Sequence, residues 1–376
     1  MKIIIFKESI LGSSERFVLD QALQIKKFDV ILIGLKKLKS IDLSSIKTIC
    51  VDYYSKLQII TYKLFGFCPV LVSIIKKINP QLIHIHMGCD AARFSLIRNK
   101  FKTPVIVTFH GTDATTSDEW KKSSKFLYYK QYLKQRQRLI KSTNHFIAIS
   151  EFVKRCLIKQ GYPEKKITVH YMGIDTQFFT PNNEKRKPVV LFVGRLTEVK
   201  GCHYLIQAMS EVKKVTNAEL VIIGDGPELE KLKKMSIELG VYASFLGALK
   251  RESIKSYLSK ASVFCAPSTS LLSGQAEGLG LVFLEAQAMG TPVVSFSSGG
   301  ISEAVRHNVT GLLYPEKDVQ GLSEGIMKLL TDHTTWDKFS KNGIQHIHEN
   351  FDIVKQTRKL EEIYLQTIKE QESKHK

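Results

Sequence analysis

Ten short apolar runs that do not alternate with polar residues constrain this chain more than any other feature. They are KIIIF (2–6), DVILIG (29–34), LIHIHM (82–87), PVIVTFH (104–110), HFIAIS (145–150) and ITVHYM (167–172) in the first half. In the second half they are VVLFVG (189–194), ELVIIG (219–224), SVFCAP (262–267) and PVVSF (292–296). A strand with one wet face alternates, whereas a continuous run of Val, Ile and Leu suits a strand covered on both faces, hence a parallel sheet between helical layers. Helix-like segments separate the runs, and 376 residues exceed one ordinary core. The expectation is an α/β fold of two doubly wound domains, 1–180 and 181–376, with the polar stretch TPNNEKRKP (180–188) as linker.

The longest apolar stretch, FGFCPVLVSII at 65–75, is far short of a membrane span, and the amino terminus does not resemble a signal peptide. A cytoplasmic protein is therefore expected. Six cysteines lie scattered without paired or CxxC spacing, which suits reduced, buried thiols and neither disulfides nor a zinc site. Charge is uneven: residues 1–180 hold 30 Lys and Arg against 13 Asp and Glu, and residues 181–376 hold 25 against 23. The densest basic run, 121–141, carries eight basic and no acidic residues with Tyr, Phe and Leu interleaved. It reads as a basic amphipathic helix, suited either to an anionic membrane surface or to packing through its aromatic side.

Ligands of open α/β sheets sit beyond the carboxyl ends of the strands, so the loops there carry the functional reading. GQAEGLGLVFLEAQAMG (274–290) places Glu277 in a loop, follows it with Gly278, Leu279 and Gly280, and starts a helix at Leu281 whose second turn holds Glu285. The free amides at such a helix start favour phosphate, and a carboxylate beside a phosphate seat would grip sugar hydroxyls. GRLTEVKG puts Arg195 and Lys200 around a turn into a helix; two cations there suit a diphosphate or are ordinary surface residues. GDGPE (224–228) reads as structural capping, with Pro227 in the first helical turn. FHGTD brings His110 to the end of a buried strand with Asp113 close enough to orient it, although a strand-end histidine is more often a hydrogen-bonded core residue. His84, His86 and His110 invite a metal, but no carboxylate or cysteine stands at ligand spacing, and no metal is assigned. Gly12, Ser13 and Ser14 offer backbone amides to a phosphate or form a turn.

VGRLTEVKG, IIGDGPE, CAPS, AEGLGLVFLEAQAMGTPVV and SSGGISEAV, in this order, resemble the carboxyl-terminal domain of the retaining glycosyltransferases of family 4, which have the GT-B fold. HGTD, the IAIS strand and MGID extend the likeness loosely into the first half. The resemblance implies two Rossmann-like domains facing a cleft, acceptor in the first and nucleotide-sugar donor in the second. It implies that Glu285 holds the donor ribose, Glu277 the hexose hydroxyls, the amides of Gly278 to Leu281 the sugar and phosphate, and Arg195 and Lys200 the diphosphate. His110 would act on the donor sugar, and Gly12 would contact phosphate. The chain departs from the family at GSSE, where paired glycines are common, and at GGISE, where relatives often read GGxPE.

Cationic groups preorganised at the leaving diphosphate provide for transfer without a metal or cofactor. The implied reaction is retaining transfer of a hexose to a saccharide or lipid-linked saccharide in surface polysaccharide synthesis. A nucleotide-sugar epimerase, a phosphorylase or a sugar-nucleotide sensor shares the architecture. A nucleic-acid binder would account for the basic half but not for Glu277, Glu285 and the glycine loop, so no nucleic-acid partner is assigned.

Overall fold

In the computed structural model, which describes residues 1–374 except 11, 13, 14, 39, 40, 54 and 183, the ten apolar runs form strands of two separate parallel sheets. The first comprises β1 (Lys2–Phe6), β2 (Asp29–Gly34), β3 (Lys47–Cys50), β4 (Leu82–His86), β5 (Val105–Phe109), β6 (His145–Ala148) and β7 (Ile167–Val169), in the order β3-β2-β1-β4-β5-β6-β7. The second comprises β8 (Lys187–Val193), β9 (Glu219–Ile223), β10 (Ala243–Phe245), β11 (Ala261–Cys265), β12 (Val293–Phe296) and β13 (Gly311–Tyr314), in the order β10-β9-β8-β11-β12-β13. The sequence reading missed β3, β10 and β13, and all three are edge strands. A strand with a single neighbour needs no continuous apolar run, so the signal that found the inner strands, and β7 at one rim, fails at the other three.

One unit comprises Met1–Gly173 together with Ile353–Lys376, and the other Ile174–Asp352. The expected division at 180/181 is thus corrected at both ends. The segment after Ile174 belongs to the second unit, where the Arg251 guanidinium lies 4.2 Å from the centroid of Phe178. The last helix, Ile353–Ser373, returns to the first unit: Leu360, Tyr364 and Ile368, at helical spacing, join a core with Ile3, Ile5, Leu32 and Ile106. Its Glu361 accepts the backbone N–H groups of Lys26 and Lys27 at 2.7 and 2.6 Å.

The basic run 121–141 is not one helix. Helices Asp118–Ser123 and Leu127–Ser142 are separated because Ser123 and Ser124 turn their hydroxyls to nearby backbone groups and end the first. Its aromatic side is core, with Tyr129 and Tyr132 buried and the Tyr132 hydroxyl 2.9 Å from that of Tyr162. Lys121 is fully buried, donates to the carbonyl of Thr116 at 2.7 Å and lies over the Tyr132 ring. All six cysteines are free thiols, and only Cys156 is not buried.

Candidate active site

In the second unit, the loop after β8 and the loop before the helix Leu281–Ala288 meet through their side chains. Lys200 ends a short turn, Glu198–Lys200, and its ammonium donates to the carboxylate of Glu277, 77 positions away in sequence. Both are largely withdrawn from solvent, at 26% and 15% side-chain exposure. Arg195 lies exposed on the same loop. Gly280, left-handed at φ +83°, precedes Leu281 and directs the chain into the helix. Leu279 is buried and Glu285 is half-buried in the second turn, as the sequence implied.

A second loop fixes Glu277. Gly300 donates its N–H to the Glu277 carbonyl at 2.9 Å, and Gly299, at φ +57°, approaches so closely that a Cβ there would lie 2.2 Å from that oxygen. Beside it Glu316, which the sequence reading did not single out, accepts from the hydroxyl of Thr269 (2.7 Å) and from the N–H and hydroxyl of Ser270 (2.9 and 2.8 Å). Burial alone would raise its pKa, but hydrogen bonds from Ser298, Ser270 and Thr269 hold it below the usual carboxylate range. Glu316 follows β13, and missing that edge strand hid the strand-end position that would have flagged it. In the GDGPE loop Asp225 accepts the N–H of Gly226 at 2.7 Å and Glu228 donates its N–H to the Leu196 carbonyl at 3.1 Å. The loop is a structural brace, and its helix begins at Leu229, after Pro227.

His110 and Gly12 belong to the first unit. The His110 Nε2 lies 2.9 Å from His86 Nδ1. His84 uses both ring nitrogens, on the Tyr364 hydroxyl and the Thr108 hydroxyl, each at 2.6 Å. The His86 and His110 rings are bonded to one another, and the His84 ring, held by its two hydroxyls, lies 4.2 Å from that of His86 between centroids. Burial, and next the neighbouring histidine His84, push His110 down to about 3, and burial likewise carries His84 and His86 well below their ordinary value. Asp113 does not orient the His110 ring. Its carboxylate accepts the backbone N–H groups of His110 and Gly111, each at 3.1 Å, and of Gly88 at 2.8 Å, pinning two strand-end loops. The N–H of Gly12 is given to Glu15 at 3.0 Å, and Ser13 and Ser14 lie outside the described residues.

At the carboxyl ends of β1, β4 and β5 the first unit holds a half-open cavity of about 390 Å³, lined among others by Lys7, Glu8, Asp90, Arg93, Tyr128 and Tyr129. Two of its cations face carboxylates, and Lys63 also lines it. Lys7 lies 3.1 Å from Glu15 and 3.3 Å from Asp90, and Arg93 donates to Glu8 and, at 2.7 Å, to Gln131. Glu8 is 6% exposed and its Oε1 has no hydrogen-bond partner. Burial and then the Asp90 charge raise its pKa to about 8, against the pull of Arg93. Lys7, Glu8 and Asp90 follow strand ends without a sequence motif, and the parallel order of β1 and β4 and the helices carrying Arg93, Tyr128 and Tyr129 gather the rest.

The two parallel sheets and the strand-end loops define a GT-B protein, and comparison with solved structures agrees. Sucrose-phosphate synthase from Thermosynechococcus elongatus superposes with a TM-score of 0.80 over 97% of this chain and 98% of that one, and Anabaena HepE in complex with UDP and glucose with 0.76 over 96% and 99%. Each is 20% identical, a likeness that speaks to fold alone. Residues 20–178 match the family described as Glycosyltransferase Family 4 and residues 173–346 that described as Glycosyl transferases group 1. The chain belongs to this family of glycosyltransferases. It is 32% identical over 271 residues to the amylovoran biosynthesis glycosyltransferase AmsK of Erwinia amylovora, covering 69% of this chain and 64% of that protein. It is 35% identical over 175 residues to a GDP-mannose-dependent alpha-(1-6)-phosphatidylinositol monomannoside mannosyltransferase of Mycobacterium tuberculosis, covering 43% and 46%. The chain thus aligns with less than two thirds of the length of either relative.

Proposed function

We propose that this chain is a retaining, metal-independent hexosyltransferase that carries a sugar from a nucleotide-sugar donor to a saccharide or lipid-linked saccharide during surface polysaccharide synthesis. The observation that carries the reading is the Lys200–Glu277 pair beside the amino terminus of the Leu281–Ala288 helix. It sets a cation for the leaving diphosphate against a carboxylate for sugar hydroxyls, at a helix start that favours anions. The names of relatives support the pathway: besides the amylovoran enzyme, a putative colanic acid biosynthesis glycosyltransferase of Escherichia coli is 31% identical over 248 residues.

In this reading the donor is held in the second unit by Arg195, Lys200, Glu277, the amides of Gly278 to Leu281, and Glu285 on the ribose. Negative charge grows on the departing diphosphate as the C1–O bond breaks, and Lys200 and Arg195 stabilise it. The acceptor oxygen bonds to C1 on the face the diphosphate leaves, and its proton passes to a phosphate oxygen. His110 acts toward the donor sugar as a neutral imidazole, in keeping with its lowered pKa. The acceptor sugar takes the first-unit cavity. Glu8 and Asp90, set among Lys7 and Arg93, offer acceptors for its hydroxyls. The reaction would take place at the cytoplasmic face of a membrane, with the exposed lysines of 121–141 supplying attraction to anionic lipid.

A thermal-shift screen of UDP, GDP and ADP sugars, followed by assay of nucleotide release with and without added saccharide in EDTA, tests the reading. A ligand at a hundred times its dissociation constant adds about 2.7 kcal/mol. A flat response to every donor, or release that ignores the acceptor, would overturn it.

A further inference from the structure

Helix Lys56–Phe65 fully buries only Tyr62. Leu57, Ile60 and Leu64, at i, i+3 and i+7, share its outer face, with Tyr53 before the helix and Phe65 and Phe67 at its end. All six side chains are between 50% and 74% exposed. Scattered single apolar residues are normal on a surface, but a contiguous helical face is not. Residues 53–89 contain Lys56, Lys63, Lys76 and Lys77 and no Asp or Glu. The neighbouring helix Leu127–Ser142 touches this face, since Gln131 donates to the Lys63 carbonyl at 2.6 Å. One turn before Gln131 stand exposed Phe126 and Leu127, and Lys130 and Lys134 are exposed alongside.

We propose that this face, formed by Tyr53, Leu57, Ile60, Leu64, Phe65 and Phe67, is where the chain sits on an anionic lipid surface, its apolar side chains entering the headgroup boundary and the lysines meeting the charge. The inference rests on the lipid-linked acceptor reading and moves the apolar contact from the 121–141 segment, where Tyr129 and Tyr132 are core, to the Lys56–Phe65 helix, with the exposed lysines of 121–141 at its side. Charge selects the occupant. The helix carries Lys56 and Lys63 and no acidic residue, so a two-fold contact between copies would set like charges together, whereas an anionic leaflet complements both its charge and its apolar centre. Helices Lys56–Phe65 and Pro69–Ile78 turn by 99° from one another and are ten residues each, so the face lies along the surface and does not span it.

The test is flotation of the full chain with phosphatidylcholine vesicles, with and without phosphatidylglycerol, beside the triple variant Leu57→Ser, Ile60→Ser, Phe65→Ser. The wild type should float only with phosphatidylglycerol, be released by salt, and lose partitioning by about tenfold or more in the triple variant. The quadruple variant Lys122→Gln, Lys125→Gln, Lys130→Gln, Lys134→Gln should lose less. The emission of Leu57→Trp should shift to the blue on adding phosphatidylglycerol vesicles. Wild-type flotation without anionic lipid, triple-variant partitioning equal to wild type, no vesicle binding at all, or a dimer in sedimentation velocity that the triple variant dissolves would each overturn the proposal. Nucleotide release with a soluble saccharide acceptor should be unchanged in the triple variant. If that activity is absent from the wild type too, it is the transferase reading that has failed and not the docking surface.

Discussion

Gly299→Ala tests whether the loop after β12 sets the position of Glu277. At φ +57° an alanine pays a left-handed conformational penalty of about 1 kcal/mol. Its Cβ would also lie 2.2 Å from the Glu277 carbonyl oxygen and 3.1 Å from its carbon, and a backbone so close must move. Displacing packed atoms of this kind costs about 1–3 kcal/mol more, for a total of about 2–4 kcal/mol. For a unit of this size each kcal/mol lowers Tm by about 2–4 °C, so the variant should melt roughly 4–16 °C lower. Gly240→Ala is the control: φ is +64° but nothing lies within 4 Å of the added carbon, so only the conformational penalty of about 1 kcal/mol applies. Gly299→Asn tolerates the dihedral and keeps the clash, and should not rescue. Because a shift of about 1 Å in a positioned group can cost about 10² in turnover, Gly299→Ala should also lose activity below its melting range, and Gly240→Ala should not. Calorimetry with turnover measured at a temperature where both variants are folded decides the matter. Equal melting and wild-type turnover in Gly299→Ala would refute the claim that this loop holds Glu277.

Lys200→Ala and Arg195→Ala should each lower turnover by about 10² or more with the fold intact, and activity within a fewfold of wild type in either would remove that residue from the donor site. Lys121→Gln should destabilise by about 1–3 kcal/mol in urea, because Lys121 is buried against the Thr116 carbonyl, while Lys122→Gln on the surface stays within about 0.5 kcal/mol; equal effects would contradict the burial. His84, His86 and His110 are held neutral, so below their ordinary value of 6.5 the unfolded chain binds protons that the folded chain does not. Their contribution is complete above about pH 6.5 and is lost as pH falls, for His110 down to about 3, and urea midpoints at pH 7 and 5 should show it. Glu8 has the opposite sign: its pKa is raised to about 8, so its contribution is present below 4.5 and lost as pH rises through 8, and Glu8→Gln should flatten that alkaline limb. Turnover should persist in EDTA; a complete loss restored by Mg²⁺ would overturn the metal-free mechanism.

The sequence by itself determined the class of fold, the inner strands and the donor-site loops. A strand buried on both faces is mostly apolar, as the Ile, Val, Leu and Phe runs of β1 and β8 are, and a helix must start after Gly280 and stop at Gly290, so those signals are local and survive without tertiary context. The edge strands β3, β10 and β13 lacked that constraint, and with β13 went Glu316, whose role depends on facing Thr269 and Ser270 from another loop. Only the tertiary structure decided that Lys200 pairs with Glu277 across 77 residues, that the final helix belongs to the first unit, and that Lys121 and the aromatic side of 121–141 are core. It likewise turned Asp113 from a partner of the His110 ring into a clamp on backbone, and left an apolar face exposed on the Lys56–Phe65 helix. The reason is common to all of these: periodicity tells a residue that it is covered, but which neighbour covers it depends on how parallel strands from distant parts of the chain are ordered side by side.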